Sequence, residues 1–206
     1  MIQQMKRDFF SLKMIFLFFT FIVPALYLVR NEFTTMGLLL SAFVVGMLVM
    51  NDEKFKLNKF FNSMPVNPSS LFWGRVTLVS LFGILWVILE ILPFAVSGSI
   101  PMSFAAVSIL IQSSMILILV PSGLSALQLI KGKLFRWVPL IISYFVLIFI
   151  SLYITDLFMI ILNTPEAETN TGTAFLTLAS LVVFSIAYMY LSSFMYKRAL
   201  QKRDLI

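Results

Sequence analysis

Few side chains in this sequence of 206 residues are equipped for chemistry, and the most conspicuous ones lie where water is scarce. Glu90, Gln112 and Asp156 each fall inside a different long apolar run. A carboxyl in such a run is costly, so it is protonated, paired or set on a wet cavity. Two readings of Glu90 follow: a contact for a cationic or amphipathic solute, or a neutral carboxylic acid hydrogen-bonded to a neighbouring helix. Asp156 lies near the end of its run, where a plain interfacial position competes with a place on a solute path. Gln112, with Ser113 and Ser114 beside it, suits hydrogen bonding between helices or the wall of that path. An aspartyl protease needs two facing acids at similar depth, and Glu90 and Asp156 match poorly. The chain has no His and no Cys. That excludes serine–histidine and thiol catalysis, disulfides and His/Cys metal sites. We expect no catalytic residues, no metal site and no cofactor held by this chain.

The elements that position these residues follow from composition. The chain is 60% hydrophobic and 12% charged, with mean hydropathy +1.00, whereas a soluble domain is about half apolar and about a quarter charged. A soluble or disordered chain is excluded, and a polytopic membrane protein is indicated. A bilayer core of about 30 Å takes roughly 20 apolar residues as helix. Six stretches meet or approach that length: 14–29, 33–50, 71–96 (or from 76), 104–130, 137–162 and 173–196. The run Ser97-Gly98-Ser99-Ile100-Pro101 separates the third from the fourth. Counting from Val76 puts Glu90 about 21 Å along its span, in the outer half.

The net charge of +6 does not indicate nucleic acid, because the basic residues are sorted by side. Every Lys and Arg except Arg30 falls before span one, between spans two and three, between four and five, or after six. The positive-inside rule puts those segments and both termini in the cytoplasm. The expectation is an all-α protein of the cell membrane, a single domain with six transmembrane helices. Its first helix is expected to be retained rather than cleaved, because 24–28 (Pro-Ala-Leu-Tyr-Leu) offers no small-x-small site.

Three segments depart from plain membrane span. Residues 1–13 place Ile2, Met5, Phe9 and Leu12 at helical spacing among Gln3, Lys6, Arg7 and Lys13. That pattern fits an amphipathic helix flat at the inner interface, or an extension of span one. Residues 155–172 form an acidic outer segment that reads as irregular. The loop 51–70 is the most informative. Asn51-Asp52-Glu53-Lys54 reads as a helix start, a cap followed by acids in the first turn. Leu57, Phe60, Phe61 and Met64 then make an apolar stripe, and Pro65 and Pro68 stop the helix. Such a helix either rests on anionic lipid or docks into a groove on a cytoplasmic protein.

Asp52-Glu53-Lys54, the pair Phe60-Phe61 and the run Asn62-Ser63-Met64-Pro65-Val66 resemble the first cytoplasmic loop of ABC-2 type transporter permeases. More narrowly, they resemble the small six-helix permeases of Gram-positive peptide and antibiotic exporters, among them the phenol-soluble modulin exporters. Met64 stands where Leu is common in that family, and Arg75 stands for the basic residue entering span three. Where the family often has a basic residue soon after Pro-Val, this chain has Asn67-Pro68.

The resemblance implies a permease subunit served by a separate nucleotide-binding subunit, which binds ATP and Mg and docks against 51–70 as a coupling helix. Asp52, Glu53, Lys54, Leu57, Phe60, Phe61, Met64 and Pro65 are the docking residues it implies. It also implies a second permease, identical or paralogous, and a substrate that is an amphipathic peptide, peptide antibiotic or hydrophobic drug. Residues 1–13 become an interfacial connecting helix and 155–172 short re-entrant half-helices. The residues agree on one point independently: the sequence holds no G-x-x-x-x-G-K-[ST] phosphate loop. The alternative from another class is a non-transporting scaffold or immunity protein that binds a peptide or partner.

Overall fold

The computed structural model describes residues 2–26, 35–54, 68–129, 137–163 and 167–204. Among them every regular element is a helix: α1 (Ile2–Leu26), α2 (Met36–Lys54), α3 (Pro68–Val96), α4 (Met102–Leu129), α5 (Trp137–Asn163) and α6 (Ala167–Asp204). Four contain stretches long and apolar enough to cross a membrane: Asp8–Ala25, Ser69–Val96, Met102–Ser125 and Phe175–Arg198. Among the described side chains, the apolar stretches of α2 and α5 cover Met36–Met50 and Ile141–Ser151. The chain is thus an all-helical, membrane-spanning protein.

Several expected boundaries move. Residues 1–13 do not form an element of their own, because α1 runs unbroken from Ile2 to Leu26. No Gly or Pro interrupts it before Pro24, so nothing ends the first helix at Lys13. Asn51-Asp52-Glu53-Lys54 does not start a helix but continues α2. Nothing between Met50 and Asn51 breaks the hydrogen-bond ladder, and a ladder already formed is extended more cheaply than a new one is nucleated. Pro68, expected as a stop signal, is the first residue of α3, the position where its missing N–H is no loss. Residues 155–172 are helical on both sides of 164–166 rather than irregular. The sixth span accordingly belongs to a helix of 38 residues.

The break at 97–101 falls where the sequence puts it. The Ser97 amide donates to the Pro93 carbonyl at 2.9 Å and the Ser99 amide to Phe94 at 3.0 Å, which satisfies the last carbonyls of α3. Gly98 takes φ 77°, the left-handed conformation that this cap requires.

Packing centres on α3 and α4. More than half of the apolar stretch of α4 is buried, 56%, against 11% for α6, so α6 lies on the rim. Contacts at matching depths give the directions. Asp8, Phe16 and Thr20 meet Arg75, Phe82 and Trp86, so α1 runs parallel to α3. Gly37 meets Glu90 while Gly83 lies against Ser41 and Ile116, so α2 and α4 both run antiparallel to α3. Ser122 and Ser125 meet Tyr188 and Ser192, so α6 runs parallel to α4. Tyr196 of α6 packs on Phe72, close to the Asp8–Arg75 contact. The start of α1 and the last turns of α6 therefore share one end of the bundle, called here the terminal end.

Candidate functional site

The polar groups of the bundle gather along α3 at three depths. Nearest the terminal end, Arg75 is fully buried and its Nε lies 3.2 Å from Asp8 Oδ2, whose side chain is 3% exposed. Asp8 arrives there because it shares a helical stripe with Leu12 and Phe16, four and eight residues on, both of which are buried. A buried carboxylate and guanidinium each need the other, since an unpaired charge in an apolar interior is far costlier than the pair.

About two to three turns further on, the α1–α3 contact is aromatic. Phe16 stacks on Phe82 with centroids 4.2 Å apart, and Phe16 lies 5.9 Å from the Trp86 ring. Trp86 Nε1 donates to Thr20 Oγ1 at 3.1 Å, and Thr20 in turn donates to the Phe16 carbonyl at 2.8 Å. At the same level α2 presses onto α3. A Cβ on Gly37 would sit 2.6 Å from Val87 Cγ2 and 2.9 Å from the Val87 backbone nitrogen. Small residues let helix backbones approach this closely inside a membrane, where van der Waals contact replaces the hydrophobic effect as the force between helices.

Farthest from the termini lies Glu90, 7% exposed. Its Oε1 accepts the Met36 amide at 3.2 Å and its Oε2 the Gly37 amide at 3.0 Å. The first N–H groups of a helix have no partner within the helix and carry its positive dipole end. A carboxyl from α3 thus caps the start of α2, the task an Asn or Asp on the same chain segment usually performs. The Tyr144 hydroxyl of α5 hydrogen-bonds the Thr35 side chain beside it. Of the two readings of Glu90, the hydrogen-bonded one describes this arrangement.

Gln112 lies on α4, 2% exposed, and its Oε1 has no hydrogen-bond partner among the described residues. Asp156 falls on α5, and its side chain lies outside the described residues. Asp52, Glu53 and Lys54 end α2, again without described side chains, and Leu57, Phe60, Phe61, Met64 and Pro65 lie outside the described residues altogether. A cavity of about 420 Å³ between α5 and α6 is lined by Ile154, Thr177, Leu178, Ser180, Leu181 and Phe184, and neither Glu90 nor Gln112 reaches it. Among the described residues no cluster of acids is fit to hold a metal ion.

Sequence reasoning passed over Asp8, and with it the role of Arg75. The available signal was an acid at the i−4 and i−8 positions of an apolar stripe, a place where a solvated charge does not belong. Compared with known proteins, the chain matches no family model, no curated protein and no solved structure.

Proposed function

We propose that this chain is the permease subunit of an ATP-driven exporter of the ABC-2 type, with six membrane crossings and cytoplasmic termini. It pairs with a second permease, identical or paralogous, to enclose the path of an amphipathic peptide, peptide antibiotic or hydrophobic drug. ATP and Mg belong to a separate nucleotide-binding subunit. The observation that supports the reading is the close packing of the α2–α3 pair. Residues 55–67, which hold most of the family-like motif, join two helices that are in backbone contact at Gly37 and Val87 and bonded through Glu90. A push on that connection moves both helices as one body, and Asp8–Arg75 extends the body to α1. The sorting of basic residues supports the orientation, placing this connection and both termini on the cytoplasmic side.

The test is association with the ATPase. The protein purified from its native membrane brings down a nucleotide-binding subunit, and the triple variant Phe60→Asp, Phe61→Asp, Met64→Asp inserts normally but loses it. Unchanged association in that variant removes the segment from the mechanism.

A further inference from the structure

The seam between α3 and α4 differs chemically from the rest of the bundle. Several other buried or half-buried hydroxyls fall back on a carbonyl one turn earlier, Thr20 on Phe16, Ser41 on Gly37, Ser114 on Leu110 and Ser185 on Leu181, and Ser125 bonds the Ser192 carbonyl of α6. The bond one turn back is always within reach of a helical hydroxyl in a dry setting. Ser80 and Ser108, 5% and 1% exposed, do not make it, and neither they nor Gln112 Oε1 have a hydrogen-bond partner among the described residues. The covered hydroxyl of Ser113 is in the same condition.

These groups form a row. Gly83 lies against Ile116 of α4, with Ser41 of α2 beside them, and this contact sets the level at which α3 and α4 meet. Ser80 lies three residues before Gly83, Gln112 and Ser113 four and three before Ile116, and Ser108 eight before it, all on the stripes that touch. At about 1.5 Å per residue the row from Ser80 to Ser108 extends some 16 Å, roughly half of a 30 Å hydrocarbon core. Below it, Pro121 interrupts the ladder of α4. Past Pro121, Ser122 and Ser125 fix the helix to α6. The part of α4 that holds Ser108, Gln112 and Ser113 can therefore repack while the remainder stays anchored.

We propose that the α3–α4 seam is the wall of a water-filled path that opens in a second conformation, with Ser80, Ser108, Gln112 and Ser113 as its hydrogen-bonding track. Polar groups left without partners in one arrangement of a membrane protein are satisfied in another that admits water. The solute this track suits is one with amide or hydroxyl groups to hydrogen-bond, and in this the inference rests on the exporter reading. Its test does not. The chain has no cysteine, so single variants of the full-length protein can be labelled in native membrane vesicles with a charged, membrane-impermeant maleimide.

Ser108→Cys, Gln112→Cys and Ser80→Cys are expected to react, with Ser97→Cys in the exposed turn as the fast reference. Ser114→Cys, buried on α4 and bonded to its own helix, is the blocked one. A minor open state of on the order of 0.1–10% predicts labelling about 10- to 1,000-fold slower than the reference, and well above Ser114→Cys. The two serine replacements are nearly isosteric, so they report even where Gln112→Cys fails to fold. Labelling no faster than Ser114→Cys overturns the track, and so does equal labelling of Ser114→Cys, which means general loosening. Labelling without any co-purifying ATPase removes the exporter reading and keeps the track, whereas association without labelling does the reverse.

Discussion

On the side facing α1 and α2, α3 presents Arg75, Trp86 and Glu90, and each meets a partner on another helix: Asp8, Thr20 and the amides that start α2. Toward α4, along the stripe of Gly83 where α2 and α4 both come close, Ser80 has no hydrogen-bond partner among the described residues, and Ser108 and Gln112 Oε1 on α4 are in the same state. Both sides are buried and both are lined with apolar residues, so hydropathy does not tell them apart. Hydrogen bonding does. The first side has directional contacts at three depths and is built to hold one arrangement. Among the described residues, the second has no hydrogen bond at Ser80, Ser108, Ser113 or Gln112 Oε1.

Breaking the first side should have the largest consequence. Arg75→Met leaves Asp8 buried without the Arg75 guanidinium and is expected to lower stability by about 3–5 kcal/mol, the cost of breaking a buried ion pair from one side. Adding Asp8→Leu to Arg75→Met removes the stranded charge and should recover most of that loss. Thermal unfolding in detergent of the two single variants and the double variant reads both effects. A double variant as unstable as Arg75→Met would show that the contact is shape packing rather than charge pairing.

Glu90→Ala comes next. It strands the amides of Met36 and Gly37 at the start of α2, and a buried donor without acceptor costs about 1–3 kcal/mol. Glu90→Gln keeps one acceptor oxygen and should lose less. Hydrogen exchange should localise the damage to the first turn of α2 and leave its middle protected. Exchange unchanged at Met36 and Gly37 would mean that Glu90 does not act as the cap. It would also reopen the carboxyl as a contact for a cationic solute.

The helices were legible in the sequence because hydropathy is summed along one segment. The runs at 104–130 and 137–162 land within a few residues of α4 and α5, and the break at 97–101 lands in place. Boundaries failed where polar residues continue a helix. Asn51-Asp52-Glu53-Lys54 has the local grammar of a start, yet the helix already running from Met36 carries through it. The first turns of α6 hold Thr169, Asn170, Thr171 and Gly172, weak helix formers alone, yet they belong to the same helix as an apolar stretch of 24 residues. The staples were invisible for a different reason. Asp8 and Arg75 are 67 positions apart, and no property of either local segment encodes the pairing. Glu90 was legible as a residue needing a partner, but its partner is a pair of backbone amides, which every sequence has and none displays.

The smallest expected effect separates the two sides by sign. Thr20→Val removes the acceptor of Trp86 Nε1 while keeping the shape of the side chain, so it strands one buried donor and should lower stability by about 1–3 kcal/mol. Ser108→Ala deletes a hydroxyl of comparable burial that has no partner to lose among the described residues. Taking away a buried, unsatisfied polar atom relieves its desolvation penalty, so this variant should be neutral or more stable by about 1 kcal/mol. If the seam opens to water, the same change also removes a stabilising contact of the open state. Ser108→Ala should then slow labelling of Ser80→Cys in the combined variant even as the unfolding temperature holds or rises. A Ser108→Ala protein that is less stable than the parent would mean that the hydroxyl is already bonded in the closed seam, and the two sides of α3 would no longer differ in kind.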